Sequence, residues 1–114
     1  MINKRHLGWD GEYIARKFLE DNGFRFLESN FYTRWGEIDL IMKDKDYLVF
    51  VEVKSYRTSF INARDVINRK KKRHLRLSGD WYRVKYNYDS NYRYDLCICD
   101  GKRVVDYISA IEIV

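Results

Sequence analysis

Residues 34 to 57, RWGEIDLIMKDKDYLVFVEVKSYR, set two apolar strand patterns on either side of the polar turn DKD. No other stretch restricts the fold as much, because the second strand is apolar on both faces from Tyr47 to Val51, the pattern of a strand covered on two sides. The same hairpin nevertheless carries Asp39 in its first strand and Glu52 and Lys54 in its second. Charge is expensive to bury unless it is paired or bound to a metal. Something must compensate these three side chains.

The flanking sequence supplies the cover. From His6 to Asn22, Leu7, Ile14, Ala15, Phe18 and Leu19 gather on one side of a helical wheel, and DNG at 21 to 23 supplies the stop. Strands are expected at FRFLESNFY, EIDLIMK and YLVFVEVK. A second helix is expected from about Asn62 to the region of Trp81, with Ala63, Val66, Ile67, His74, Leu77 and Trp81 on its inward stripe. Residues 85–92, KYNYDSNY, read as a mobile connecting loop. The tail reads as a hairpin turning on Asp100-Gly101, the favoured pair for a two-residue turn. The order is helix, three strands, helix, two strands, with no repeat or linker to divide it.

One α/β domain spanning 1–114 is therefore expected, since a chain of 114 residues with 46% apolar residues and no proline can bury a core unaided. Cys97 and Cys99 alternate in a strand and lack metal-site spacing, so they read as core thiols in a reducing compartment. The N-terminus has no apolar leader segment and YLVFVEV is too short to cross a bilayer. The expectation is a cytoplasmic protein with no membrane partner.

In the hairpin, period-two alternation puts Glu52 and Lys54 on one face and Val51 and Val53 on the other. A turn of two or four residues adds Asp39 to the face of Phe50, Glu52 and Lys54, whereas an odd turn or a bulge breaks that parity. Two carboxylates and an ammonium would then converge. Like charges at such a point call for a raised pKa or a divalent cation, and oxygen donors with open positions suit Mg²⁺ or Mn²⁺. The spacing is equally met by a half-buried salt-bridge cluster.

Glu12 flanks the apolar face of the first helix and can look toward the sheet as a third acid, or serve as a first-turn carboxylate on the helix dipole. Lys70 falls on the inward stripe of the second helix, where it either snorkels to solvent or extends over the acids. RKKKRHLR, containing Arg69, Lys70, Lys71, Lys72, Arg73 and Arg76, offers a positive helix face for phosphates. The net charge of +5 adds little by itself. Tyr82, Tyr86, Tyr88, Tyr92 and Tyr94 read first as strand and loop packing and second as base-stacking groups.

GWDGEYIARKFLEDNGF, NFYTRWGEIDLI, FVEVK, the lysine of VINRK, and YRYD resemble, in order and spacing, the YraN-like family of small bacterial proteins. That family is similar to the PD-(D/E)XK nuclease superfamily near archaeal Holliday junction resolvases. The likeness spans about Gly8 to Tyr107. It implies a restriction-endonuclease-like core, a mixed five-stranded sheet flanked by helices. It also implies a catalytic set of Glu12, Asp39, Glu52 and Lys54, with Asp39, Glu52 and the Val53 carbonyl on Mg²⁺ or Mn²⁺. Lys70 and Asp95 match supporting positions. Tyr32 and Tyr56 stand where an Arg is common, and Arg57 follows Tyr56 as a nucleic-acid contact.

The resulting expectation is a Mg²⁺-dependent endonuclease acting on DNA, in branched or structured form, with Lys54 assisting the attacking water. A homodimer would suit symmetric cutting of a junction, although no stretch marks an interface. The alternative is a nucleic-acid-binding module that does not cut, working in a repair or uptake assembly. A third reading has the basic helix contact an acidic protein partner.

Overall fold

The computed structural model describes residues 4–56 and 67–113, with side chains from Gly11 onward. Helix α1 spans Lys4–Asp21, followed by β1 (Arg25–Thr33), β2 (Gly36–Asp44) and β3 (Tyr47–Ser55). Helix α2 (Arg69–Lys85), β4 (Tyr92–Cys99) and β5 (Val104–Ile108) complete the chain. The five strands form one sheet in sequential order, β1 to β5. β1, β2 and β3 are a meander of antiparallel pairs, β4 runs parallel to β3, and β5 is antiparallel to β4. The sheet is thus mixed and the fold α/β, as expected.

Two apolar layers sandwich the sheet. On the α1 side Ala15 and Leu19 meet Leu40, Met42, Val49, Val51, Cys97 and Cys99. On the α2 side Leu75 and Tyr82 meet Ile41, Leu48, Phe50, Tyr94, Leu96 and Ile98. Residues 48 to 51 alternate between these layers, so their unbroken apolar run records burial on both faces. Tyr47, at the start of the run, is exposed. α1 stops where Gly23 takes φ +90° and the Phe24 N–H donates to the Leu19 carbonyl.

Three expectations need correction. α2 starts at Arg69, capped by Asn68 Oδ1 accepting from the Lys71 N–H at 2.8 Å, and runs on to Lys85. The helical stretch expected at Asn62 to Val66, with Ala63, lies outside the described residues. The inward stripe of α2 is Leu75, Ser78, Gly79 and Tyr82, one residue out of phase with His74, Leu77 and Trp81. Ser78 meets Thr33 of β1 and Gly79 meets the Tyr94 ring of β4, where a Cβ on Gly79 would collide with the Tyr94 hydroxyl. Large apolar residues therefore mislead about phase here.

Finally, the β4–β5 connection is four residues, 100–103, rather than the two-residue turn on Asp100-Gly101. Asp100 Oδ1 accepts from the N–H groups of Lys102 and Arg103 at 2.9 and 3.0 Å, which favours the wider loop. The 86–91 connection is tied down by Lys43 Nζ donating to Tyr88 Oη at 3.1 Å, and by the Leu48 N–H donating to the Asn91 carbonyl at 2.8 Å. Of the tyrosines, Tyr82 and Tyr94 are core, and Tyr86 and Tyr88 pack on Tyr82. Packing is the reading their contacts support.

Gly79→Ala should destabilise the fold by about 1–2 kcal/mol although alanine is the better helix former, because overpacking outweighs propensity. Tyr94→Phe in the same chain should recover part of the loss, since Cζ would still lie 2.9 Å from the new Cβ. Urea unfolding of the two single variants and the double variant measures this; an unchanged or raised midpoint in Gly79→Ala would refute the close approach.

Candidate functional site

The β2–β3 turn is two residues, Lys45 and Asp46, and the register ends with Leu40 opposite Val51. Continued one step, it sets Asp39 across from Glu52. There the pleat breaks: Ile38 packs in the α2-side layer, yet Leu40, two residues on, packs in the α1-side layer. The matching point of β1 is Asn30, held at φ +52°, a left-handed conformation that asparagine tolerates better than most residues. Ser29 and Asn30 consequently both line a small cleft with Glu12, Tyr13, Arg16 and Leu40.

This kink assembles acids from three elements. Asp39 Oδ2 accepts from the Val53 N–H at 2.8 Å, so its carboxyl sits between the ends of β2 and β3. The Glu52 carboxyl lies within hydrogen-bonding reach of it. On the α1 side, Glu12, Glu37 and Asp39 each bring an oxygen within 4.8 Å of the others. Asn30 Nδ2 bridges the first two, donating to Glu12 Oε1 at 2.9 Å and Glu37 Oε1 at 3.1 Å. Glu12 is mid-helix, because α1 begins at Lys4, so the helix-dipole reading of it fails.

Cations reach the cluster from two directions. Glu52 is only 2% exposed; its Oε2 lies 3.1 Å from Lys71 Nζ and 3.9 Å from Lys54 Nζ. Lys54 Nζ is beyond hydrogen-bonding distance, and Lys71 Nζ, though close enough, is not aligned for a hydrogen bond, so Oε2 is held by charge alone among the described residues. Both ammonium groups thus pair with Glu52, as the salt-bridge reading expects, while Glu12, Glu37 and Asp39 have no ion pair among the described residues.

The electrostatic consequence is a retained proton. Burial first, then the hydrogen bond and charge of Glu52, push Asp39 up to about 9 from an ordinary 3.8, against the Val53 N–H, which lowers it. Glu12 is also raised, by burial first and then by the charges of Glu37 and Glu52, with the Asn30 hydrogen bond opposing. Hard oxygen donors from Asp39 and Glu52, with Glu12 and Glu37 close by, are of the kind that suits a Mg²⁺ or Mn²⁺ ion. Such an ion would compensate the charge that protons compensate in its absence.

The expected residues fall into place unevenly. Glu12, Asp39, Glu52 and Lys54 converge. Lys70, expected on the inward stripe, is exposed, and its neighbour Lys71 reaches Glu52 instead, because one residue of a helix turns the side chain by about 100°. Arg69, Arg73 and Arg76 are exposed and line a cleft of about 330 Å³ with Ile113. With Lys70 and Lys72 they form no ion pair among the described residues. Arg57 lies outside the described residues.

Asp95 is fully buried, held by Arg93 Nε at 3.1 and 3.2 Å, by Tyr107 Oη, and by the Ala110 N–H at 2.8 Å. Its contacts are those of a structural anchor for the C-terminal segment. Glu37 and Asn30 were not foreseen, and Lys71 was expected as a phosphate contact rather than as the partner of Glu52. Glu37 carried a signal, two residues before Asp39 in a strand and so on its side of the pleat; Asn30 carried none.

A carboxyl whose pKa is raised in the fold binds more protons folded than unfolded between its two values, so stability falls as pH rises between 3.8 and about 9. Asp39→Asn should raise the stability of the metal-free protein at pH about 8 by roughly 1–3 kcal/mol, a gain that shrinks to nothing toward pH about 4. Unfolding in EDTA across that range tests it, and parallel pH profiles for the two proteins would refute the retained proton.

The description "Uncharacterised protein family UPF0102" matches residues 11–99, a span containing every acid of the cluster. A UPF0102 protein of Campylobacter fetus is 38% identical over 105 residues, covering 92% of each chain. One of Vibrio campbellii is 38% identical over 115 residues, covering 95% of this chain and 93% of its own. One of Acetivibrio thermocellus is 39% identical over 114 residues, covering 97% and 88%. The chain belongs to UPF0102, the YraN-like family.

Proposed function

We propose that this protein is a Mg²⁺- or Mn²⁺-dependent endonuclease that hydrolyses phosphodiester bonds of DNA, acting on branched or structured forms. The observation that carries this reading is Glu52 Oε2, buried, without an aligned donor, and beside an Asp39 carboxyl that needs a proton to be there. A divalent cation satisfies both groups at once. The arrangement is the one implied by the likeness to PD-(D/E)XK nucleases.

Each residue then has a task. Asp39, Glu52 and the Val53 carbonyl would hold the ion, whose chemistry is to polarise the phosphate and lower the pKa of water. Lys54, one-third exposed and 3.9 Å from Glu52 Oε2, orients the attacking water and offsets charge that builds on the phosphoryl oxygens. Lys71 holds Glu52 in place from α2. Glu12 and Glu37, joined through Asn30, fix the outer wall and offer further oxygens. The exposed Arg69, Lys70, Arg73 and Arg76 supply phosphate contacts that bind without reading sequence.

No helix of the described residues is long and apolar enough to cross a membrane. The same basic helix also supports a non-cutting DNA-binding role, which would show steep salt dependence with no need for metal.

Cleavage of labelled single-stranded, duplex, flap and four-way-junction DNA with Mg²⁺, Mn²⁺ or EDTA separates these readings. Metal-dependent cutting that Asp39→Ala and Glu52→Gln reduce by a factor of roughly 100 or more is expected. Unchanged cutting in both variants would assign the activity to a contaminant. Unchanged divalent affinity in Asp39→Ala would refute the metal site.

A further inference from the structure

The tip of the β1–β2 hairpin carries an aromatic cleft that the acid cluster leaves unexplained. Tyr32, Thr33, Arg34, Trp35 and Trp81 line about 460 Å³. Trp81 is 49% exposed and Tyr32 73%, a large apolar surface to leave in water without a use. The Arg34 guanidinium stands 5.4 Å from the Trp35 ring centroid, and no acid lines the cleft.

The hairpin tip beneath the cleft is held in place. Thr33 Oγ1 donates to the Gly36 carbonyl at 2.9 Å, accepts from the Trp35 N–H at 3.1 Å, and meets Ser78 Oγ at 2.7 Å. The hairpin tip is thereby pinned to α2, and Trp81 lies one turn beyond Ser78 on that helix. A hairpin tip pinned before a ligand arrives leaves less backbone to order on binding.

Its position relates it to the acids. Tyr32 pairs with Glu37 across the strands, and Glu37 is one of the clustered carboxylates. Along α2, Trp81 is ten residues from Lys71, which touches Glu52, a rise of about 15 Å or roughly four stacked base steps. The exposed arginines 69, 73 and 76 continue the basic surface toward the other end of the helix.

We infer that this cleft is a stacking subsite for an unpaired nucleobase of a DNA strand whose backbone passes the acid cluster. Flat rings beside a guanidinium, free of acids and next to a basic helix, suit a ligand with a π-face and an anionic chain. Paired bases keep their faces covered, so the subsite selects single-stranded or frayed DNA over closed duplex. The identity of the partner rests on the nuclease reading of the acids; the stacking chemistry rests on the cleft itself.

The test is binding in EDTA, where nothing is cut, read by anisotropy of labelled strands. Oligothymidylate should bind about 10-fold more tightly than an abasic strand of equal length and charge. Trp81→Ala should erase that difference, and Trp81→Phe should restore most of it. Arg73→Ala should weaken both strands alike and lower the salt slope by about 1. Equal affinity for the two strands would overturn the inference, as would a preference that survives Trp81→Ala with Trp35→Ala. Sedimentation showing that Trp81→Ala abolishes self-association and leaves base preference intact would assign the cleft to a second copy of this chain. Base-dependent binding without cutting in any metal would sink the nuclease and leave the subsite standing; cutting without base preference would do the reverse.

Discussion

Two carboxyls forced together at the end of a hairpin govern the organisation of this molecule. Asp39 and Glu52 meet because β2 and β3 are joined by a two-residue turn and stay in register as far as Leu40 and Val51. Their repulsion is contained by a proton, by the Val53 N–H and by the ammonium groups of Lys54 and Lys71. Three further elements supply groups around that pair. α1 brings Glu12, α2 brings Lys71, and β1 bends at Asn30 to set an amide between Glu12 and Glu37.

The scaffold keeps the pair in place by burying apolar surface on both sides of β3. Leu48, Phe50 and their neighbours fix α2, while Val49 and Val51 fix α1, each large side chain contributing about 1.5–3 kcal/mol of burial. The close approach of Gly79 to Tyr94 sets how deeply α2 seats. It therefore bears on how near Lys71 comes to Glu52. On the same helix Ser78 pins the β1–β2 tip, so one element positions a cation at the acids and, further along, one wall of an aromatic cleft.

What could be read in the sequence follows from which periodicities are strict. Strand alternation has a period of two, so Glu52 and Lys54 had to share a face and an even turn had to bring Asp39 near them. The helix–three strands–helix–two strands order was legible from apolar runs bounded by turn residues. Helical phase is less forgiving. Ser78 and Gly79 face the sheet because a tyrosine ring fills the space, and no residue type in α2 announces this. The slip moved Lys70 outward and Lys71 inward. Asn30 was hidden for another reason: its role depends on a left-handed backbone that arises only once β1 and β2 are paired. The four-residue link after Cys99 likewise depends on Asp100 bonding two backbone N–H groups, which competes with the tighter turn.

The proposed nuclease reading assigns a divalent cation to the carboxyls of Asp39 and Glu52, which lie beside Glu12 and Glu37. The measurement that meets this head-on is anomalous diffraction from crystals grown with Mn²⁺. A peak about 2 Å from oxygens of Asp39 and Glu52 and from the Val53 carbonyl, with Lys71 still turned toward Glu52, is the predicted result. Crystals saturated with Mn²⁺ that show no peak at these oxygens, with Asp39 and Glu52 still joined by a hydrogen bond, would contradict it.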